Sequence, residues 1–308
     1  MEKILVCSDS PNFEFSSMGQ PYHPTHALSN YFGILGQRYE LYLVGYDHPE
    51  SVRIPLSSFS ATILWIRAPR IDWQPKPFIF IPDSSDMYFL QDLAKMDAVI
   101  AYCDEIALDA KIADVKCLHG MLPIKLNYFE NIQVNEIDKD IAWTNKSVDE
   151  IRDAIRLVHE TNLKLYSYTQ ENDREENRQE ADFARVFYSQ RTDWYKFAQN
   201  VANSFISLNT YRKRIALGAI APIAAYAKRV SVGYPHAFQK YLYPNLTSYN
   251  PDELRELIIR LLNDRDFYNE NAEYAHHILF SLESSNFEKP IVDFVEDVLC
   301  SHQQTHIQ

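Results

Sequence analysis

Asp83 closes the run Phe78-Ile79-Phe80-Ile81-Pro82-Asp83, and Asp86 follows three residues later. A carboxylate just beyond an apolar strand is well placed to take a proton from a hydroxyl, and the same position suits a helix N-cap or a first-turn carboxylate favoured by the helix dipole. Asp104 and Glu105 follow the apolar run Ala98–Tyr102 and share both readings. A second concentration of chemistry is cationic. Between Trp194 and Pro251, 58 consecutive residues contain no Asp or Glu, while Lys196, Arg212, Lys213, Arg214, Lys228, Arg229 and Lys240 all fall inside. Such a stretch points to a bound anion, or else to a solvated basic face. Arg212 lies just past the apolar run Ser204–Leu208, where a guanidinium and a helix N-terminus together can hold a diphosphate. Lys213 and Arg214 would point elsewhere on a helix, because neighbours at i+1 and i+2 do not share a face. His23 and His26 flank a predicted helix start, where a ligand phosphate or a surface or capping role would occupy them. Trp73 offers an aromatic platform, whereas Trp65, inside an apolar run, is assigned to the core.

The elements that must position these groups read as two α/β halves. In the first, Ile4–Cys7, Glu40–Val44, Ala61–Ile66, Phe78–Ile81 and Ala98–Tyr102 are short apolar runs, each expected to be a strand buried on both faces. A helix opened by Thr25 and broken near Gly36, and a second over Asp86–Lys95, complete a βαβ rhythm that implies a mostly parallel sheet. A polar, acidic boundary falls at about residues 125–146. Beyond it, Ser147-Val148-Asp149-Glu150 has capping-box spacing, with Ile151, Ile155 and Val158 on one helical face. Strands are expected at Leu163–Tyr168, Ser204–Leu208 and Ala219–Ala225, and Asn250-Pro251-Asp252-Glu253 opens a helix whose buried stripe is Leu254, Leu257, Ile258 and Leu261. The expected architecture is α/β, two Rossmann-like doubly wound domains facing across a cleft. The expected boundaries are 1–135, 140–290, and a C-terminal helix and tail over 291–308. Open sheets of this kind place ligands outside the carboxyl ends of their strands, so function is expected in the loops that follow them.

Composition narrows the classes. The 308 residues carry 46% apolar and 23% charged side chains, which excludes a disordered chain. No apolar run reaches the ~18 residues of a bilayer helix, and the start lacks a signal peptide, so the expected location is cytoplasmic with no membrane partner. Four scattered cysteines without a CxxC argue for reduced thiols and no zinc site. Only seven glycines are present, and neither GxGxxG nor GxxxxGK[ST] occurs, which disfavours dinucleotide dehydrogenases and P-loop enzymes. A phosphate ligand would then need side chains. The net charge of −12 opposes a nucleic-acid partner on average.

Phe78-Ile79-Phe80-Ile81-Pro82-Asp83 resembles the strand-then-aspartate segment of phage DNA β-glucosyltransferases, members of the GT-B class of nucleotide-sugar glycosyltransferases. Ala98-Val99-Ile100 through Leu108-Asp109-Ala110-Lys111, and Leu122-Pro123-Ile124, are similar to that family's next strand, helix and interdomain crossing. Thr210-Tyr211-Arg212 with the small-apolar run Ala216–Ala225 looks like its donor-diphosphate segment. The resemblance implies a UDP-sugar donor such as UDP-glucose, and inverting displacement onto a hydroxyl, that of 5-hydroxymethylcytosine in DNA within the family. Asp83 would be the base and Arg212 the diphosphate ligand, with Lys213 and Arg214 beside it. Asp86, Asp104, Glu105, His23 and Trp73 would stand near the acceptor, and no metal site is indicated. Ile215 stands where the family keeps a ribose-binding glutamate, and Trp143-Thr144-Asn145-Lys146-Ser147 replaces its Gly/Ser-rich loop. These departures leave open a catalytically degenerate nucleotide-, sugar- or protein-binding protein, and an enzyme acting on a non-DNA glycan or small molecule.

Overall fold

The structure is a computed structural model that describes residues 1–8, 27–45, 52, 54–66, 74–82, 89–120, 122–144, 148–169, 187–190, 194–210 and 220–305. The chain divides into two compact units, one built from Met1–Lys125 with Leu282–Gln308, the other from Leu126–Arg212 with Ala216–Ser281.

In the first unit, β1 (Lys3–Ser8), β2 (Glu40–Gly45), β3 (Phe59–Ile66), β4 (Phe78–Pro82), β5 (Ala98–Ala101) and β6 (Lys116–His119) form one parallel sheet in the order β2-β1-β3-β4-β5-β6. The five apolar runs predicted from sequence are its first five strands. β4 and β5 are buried at every position, as a central strand covered on both faces requires. Helix α1 (Ala27–Leu35) lays Phe32 edge-on against Trp65, with ring centroids 4.9 Å apart, so Trp65 belongs to the core as expected. Of the helix predicted over Asp86–Lys95, the described part is the single turn α2 (Leu90–Leu93). Helix α3 (Asp104–Ile112) returns the chain to β6.

The second unit holds β7 (Asp138–Thr144), α4 (Val148–Val158), β8 (Lys164–Thr169), β9 (Phe187–Gln190), α5 (Trp194–Asn203), β10 (Ser204–Asn209), α6 (Ile220–Tyr226), β11 (Val230–Gly233), α7 (Ala237–Leu242), α8 (Pro251–Asn263) and α9 (Arg265–Ser281). Its sheet is also parallel, in the order β11-β10-β7-β8-β9, so the strand order reverses between β7 and β10. Ile151, Ile155 and Val158 of α4 are buried on one face, and the Asn250 side chain accepts the Asp252 N–H to cap α8. Leu254, Ile258 and Leu261 form the buried stripe of that helix, while Leu257 is half-buried.

Two sequence expectations are corrected. Ala219–Ala225 reads as a strand, but Ile220–Tyr226 is helix α6, buried from Ile220 through Ala225. An all-apolar run of this length fits either a buried strand or a buried helix, and its small alanines let neighbouring helices approach from several sides. The polar boundary also contains the start of β7. Its first residues, Asp138-Lys139-Asp140, are exposed, and burial begins only at Ala142. The final helix α10 (Glu288–Thr305) packs on α1 and buries Ile291, Val295, Val298 and Leu299. A β-bridge between Ile124 and Glu283 returns the chain to the first unit.

Candidate functional site

Both sheets are parallel, so each has one edge where all strands end, and the residues predicted to do chemistry follow those ends. Asp83, Asp86, His23, Trp73, Arg212, Lys213 and Arg214 lie outside the described residues. Their anchors are described. β4, which precedes Asp83, lies between β3 and β5, with Pro82 paired to Ile66. Arg212 follows Thr210, a fully buried residue at the end of β10.

The edge of the second sheet is lined by neutral polar groups. Ser167, Thr144, Leu208 and Val232 stand side by side in register, and Asn209 and Gly233 pair one step further on. Ser167, Thr144, Ser207, Asn209, Thr210 and Ser231 are all buried. Ser231 donates its hydroxyl to Gln239 at 2.6 Å, and the Gln239 amide returns to the Ser231 carbonyl at 2.8 Å. Gly233 is required by close approach: a Cβ there would stand 2.0 Å from the Asn209 carbonyl oxygen. That contact lets the Tyr234 N–H reach the same oxygen at 3.0 Å. The Tyr234 hydroxyl donates to the buried Asp153 carboxylate at 3.1 Å, tying α4 to the residue after β11. The buried Asp153 carboxylate thus stands beside these neutral groups, held by Tyr234 and lying 3.8 Å from Arg156.

Two cations of the acid-free stretch have other duties. The buried Arg229 guanidinium donates to the carbonyls of Ala202 at 2.9 Å, Ala227 at 3.0 Å and Asn135 at 2.8 Å, and burial lowers its pKa. Lys228 pairs with Glu273 at 2.9 Å. Neither duty carries a sequence signal, because a structural guanidinium and a ligand-binding one have the same neighbours in a string.

At the edge of the first sheet, Asp104 and Glu105 form the first turn of α3. Asp104 Oδ1 lies 3.1 Å from His119 Nε2 at the end of β6. Sequence reasoning misses His119 because β6 is four residues long and only half-buried, although the apolar pair Cys117-Leu118 before it is a usable signal. Behind this edge, Cys7 and Cys103 are buried free thiols whose pKa values burial pushes up to about 12, and Tyr31 is raised well above its ordinary value by the same cause. Among the described residues no group of three or more His, Cys, Asp or Glu is placed to hold a metal ion, and no helix is long and apolar enough to cross a membrane.

Two units, each built on one parallel sheet, make an α/β fold of the GT-B kind. No family model matches the chain, and no curated protein matches it in sequence. Solved structures do match its fold. A trehalose-6-phosphate synthase, studied for glycosyl transfer with retention, superposes with TM-score 0.66 at 10% identity over 97% of this chain and 99% of that one. The Anabaena protein Alr3699/HepE in complex with UDP-glucose gives 0.65 at 12% identity over 96% and 99%. The sucrose-phosphate synthase of Thermosynechococcus elongatus gives 0.65 at 9% identity over 98% and 100%. The chain therefore has the fold of these glycosyltransferases over nearly the full length of both partners.

Proposed function

We propose that the chain is a glycosyltransferase that takes a sugar from a UDP-sugar and places it on a hydroxyl acceptor. The observation that carries this reading is the fold shared end to end with nucleotide-sugar enzymes, one of them solved with UDP-glucose. It is supported by the polar strand ends of the second sheet, Thr144, Ser167 and Asn209, with Arg212 following two residues after Thr210. In this reading Arg212 binds the diphosphate and offsets the charge that builds on it as the glycosidic bond breaks, with Lys213 and Arg214 adding to the local positive potential. Asp83, following the central strand β4, accepts the proton of the attacking hydroxyl, giving a single displacement with inversion.

Two acceptors fit the reading. The likeness of Phe78–Asp83 to phage DNA β-glucosyltransferases favours a hydroxymethylated pyrimidine in DNA, reached by base flipping. The charge of residues 1–140, 11 basic against 19 acidic, favours a neutral hydroxylated acceptor, because phosphate contacts dominate DNA affinity.

Calorimetry with UDP-glucose tests the donor half. Saturable binding is expected, weakened about tenfold or more in Arg212→Ala by loss of charge-assisted hydrogen bonds. Absence of heat with both UDP-glucose and UDP would overturn the proposal.

A further inference from the structure

Helix α3 packs on β5 and β6 and buries Ile106 and Ala110. Leu108 and Ile112 each follow one of these buried residues by two positions, about 200° around the helix, so they form a ridge on its outward side. They keep 57% and 61% of their surface exposed. The neighbouring α2 packs on α3 and adds its N-cap Phe89, 72% exposed, and Leu90, 45% exposed. A single exposed apolar residue is ordinary. Four on two touching helices amount to roughly 400 Å² of apolar surface, the size at which patches on a monomer serve binding.

The rim of this surface is acidic. Glu105 and Asp109, four residues apart, run along one side of the ridge, Asp104 starts the helix, and Asp114 lies two residues beyond its end. Between Phe89 and Asp114 there are six acidic residues and two lysines, and one of the lysines, Lys95, is held by Asp92 at 2.9 Å. The charge selects the occupant. A second copy on a twofold axis would set the same acidic patch against itself, and an anionic bilayer would meet it with like charge. A helix with an apolar stripe flanked by lysines or arginines complements both the ridge and its rim. Because α3 runs back from the carboxyl edge of the sheet, a helix seated on Leu108 and Ile112 leaves the strand ends of the first unit open.

We infer that the α2–α3 surface is a docking site for a basic amphipathic helix of a partner protein. Leu108 and Ile112 are its apolar anchors, and Glu105 and Asp109 receive the partner's cations. The inference is independent of the glycosyltransferase reading, since no group assigned to sugar transfer takes part.

The test uses the full chain and a fluorescently labelled synthetic helix of about 18 residues, Leu and Lys at amphipathic spacing, with a Leu and Glu counterpart as control. A saturable rise in anisotropy is expected with the Lys helix and none with the Glu helix. Affinity falls about tenfold or more in the double variant Leu108→Ser with Ile112→Ser, which removes two aliphatic anchors from the interface. It falls severalfold in Glu105→Gln with Asp109→Asn, and again as salt rises from about 0.05 to about 0.5 M. The serine variant keeps the urea midpoint of the parent chain, because both substituted residues are exposed. No binding of the Lys helix, or equal affinity in the parent and the serine variant, overturns the docking site. A dimer in sedimentation equilibrium that the serine substitutions dissolve gives the surface to a second copy instead, and binding of phosphatidylglycerol vesicles that the same substitutions abolish gives it to lipid; either result overturns the inference.

Discussion

Arg229 shows why residue type alone does not locate a ligand site. Its guanidinium is buried against three backbone carbonyls from Asn135, Ala202 and Ala227, joining the start of the second unit to β11. Arg229→Met is therefore expected to lower stability by roughly 2–4 kcal/mol, since each abandoned carbonyl loses a charged donor, while UDP-glucose affinity is kept. Urea unfolding measures the first effect and calorimetry the second. A variant with full stability and no donor binding would move Arg229 into the site. Ionisation gives a second expectation. Burial raises Cys7 and Cys103 from 9.0 to about 12, and Tyr268 from 10.0 to about 12. The unfolded chain sheds these protons first, so their contribution to stability is complete below pH 9 and disappears as pH climbs toward 12. The urea midpoint is expected to hold from pH 7 to 8.5 and fall clearly by pH 10.5, and a constant midpoint would contradict the burial. Ellman's reagent at pH 8 is expected to label exposed Cys300 promptly and Cys7 and Cys103 only on unfolding. The expectations on Asp83 and Arg212 come from their positions after apolar runs, and both residues lie outside the described ones. His119 is not legible in the sequence, because its meaning comes from Asp104, brought beside it by the β5–α3–β6 turn.

At the scale of elements, the close approach of β10 and β11 fixes the edge from which Arg212 departs. Gly233→Ala would set a methyl group 2.0 Å from the Asn209 carbonyl oxygen and 2.6 Å from its carbon, so one strand end must shift. A loss of about 1–3 kcal/mol is expected, with weakened UDP-glucose binding. Among the described residues Gly120→Ala meets no atom within 4 Å, and its φ of +82° resists the change, at about 1–2 kcal/mol with donor affinity untouched. If the two variants affect UDP-glucose binding alike, the β10–β11 edge is not the donor edge. The same elements show what a string of residues conveys. Strands β1 to β5 are readable because covering both faces demands unbroken apolar runs. β7 is not, since its exposed Asp138-Lys139-Asp140 reads as linker until Ile141-Ala142-Trp143-Thr144 is seen between β8 and β10. α6 reads as the wrong class because a seven-residue apolar run has no face to reveal its period.

For the whole molecule, fold and sequence part company. Identity of 9–12% beside TM-scores of 0.65–0.66 over nearly the full length of both chains means that the fold is shared while few residues are. That is why the order of elements is the strongest signal in the sequence, and why short motifs are sparse. The trehalose-6-phosphate synthase among these neighbours was studied for retention, whereas Asp83 acting as a base implies inversion. Proton NMR of UDP-glucose incubated with the chain tests donor use and stereochemistry together. The donor is α-linked, so release of UDP with first-formed β-configured product, lost in both Asp83→Asn and Arg212→Ala, is the expected result. UDP-glucose left intact and unbound after prolonged incubation would contradict the glycosyltransferase assignment, and first-formed α product would contradict the role of Asp83.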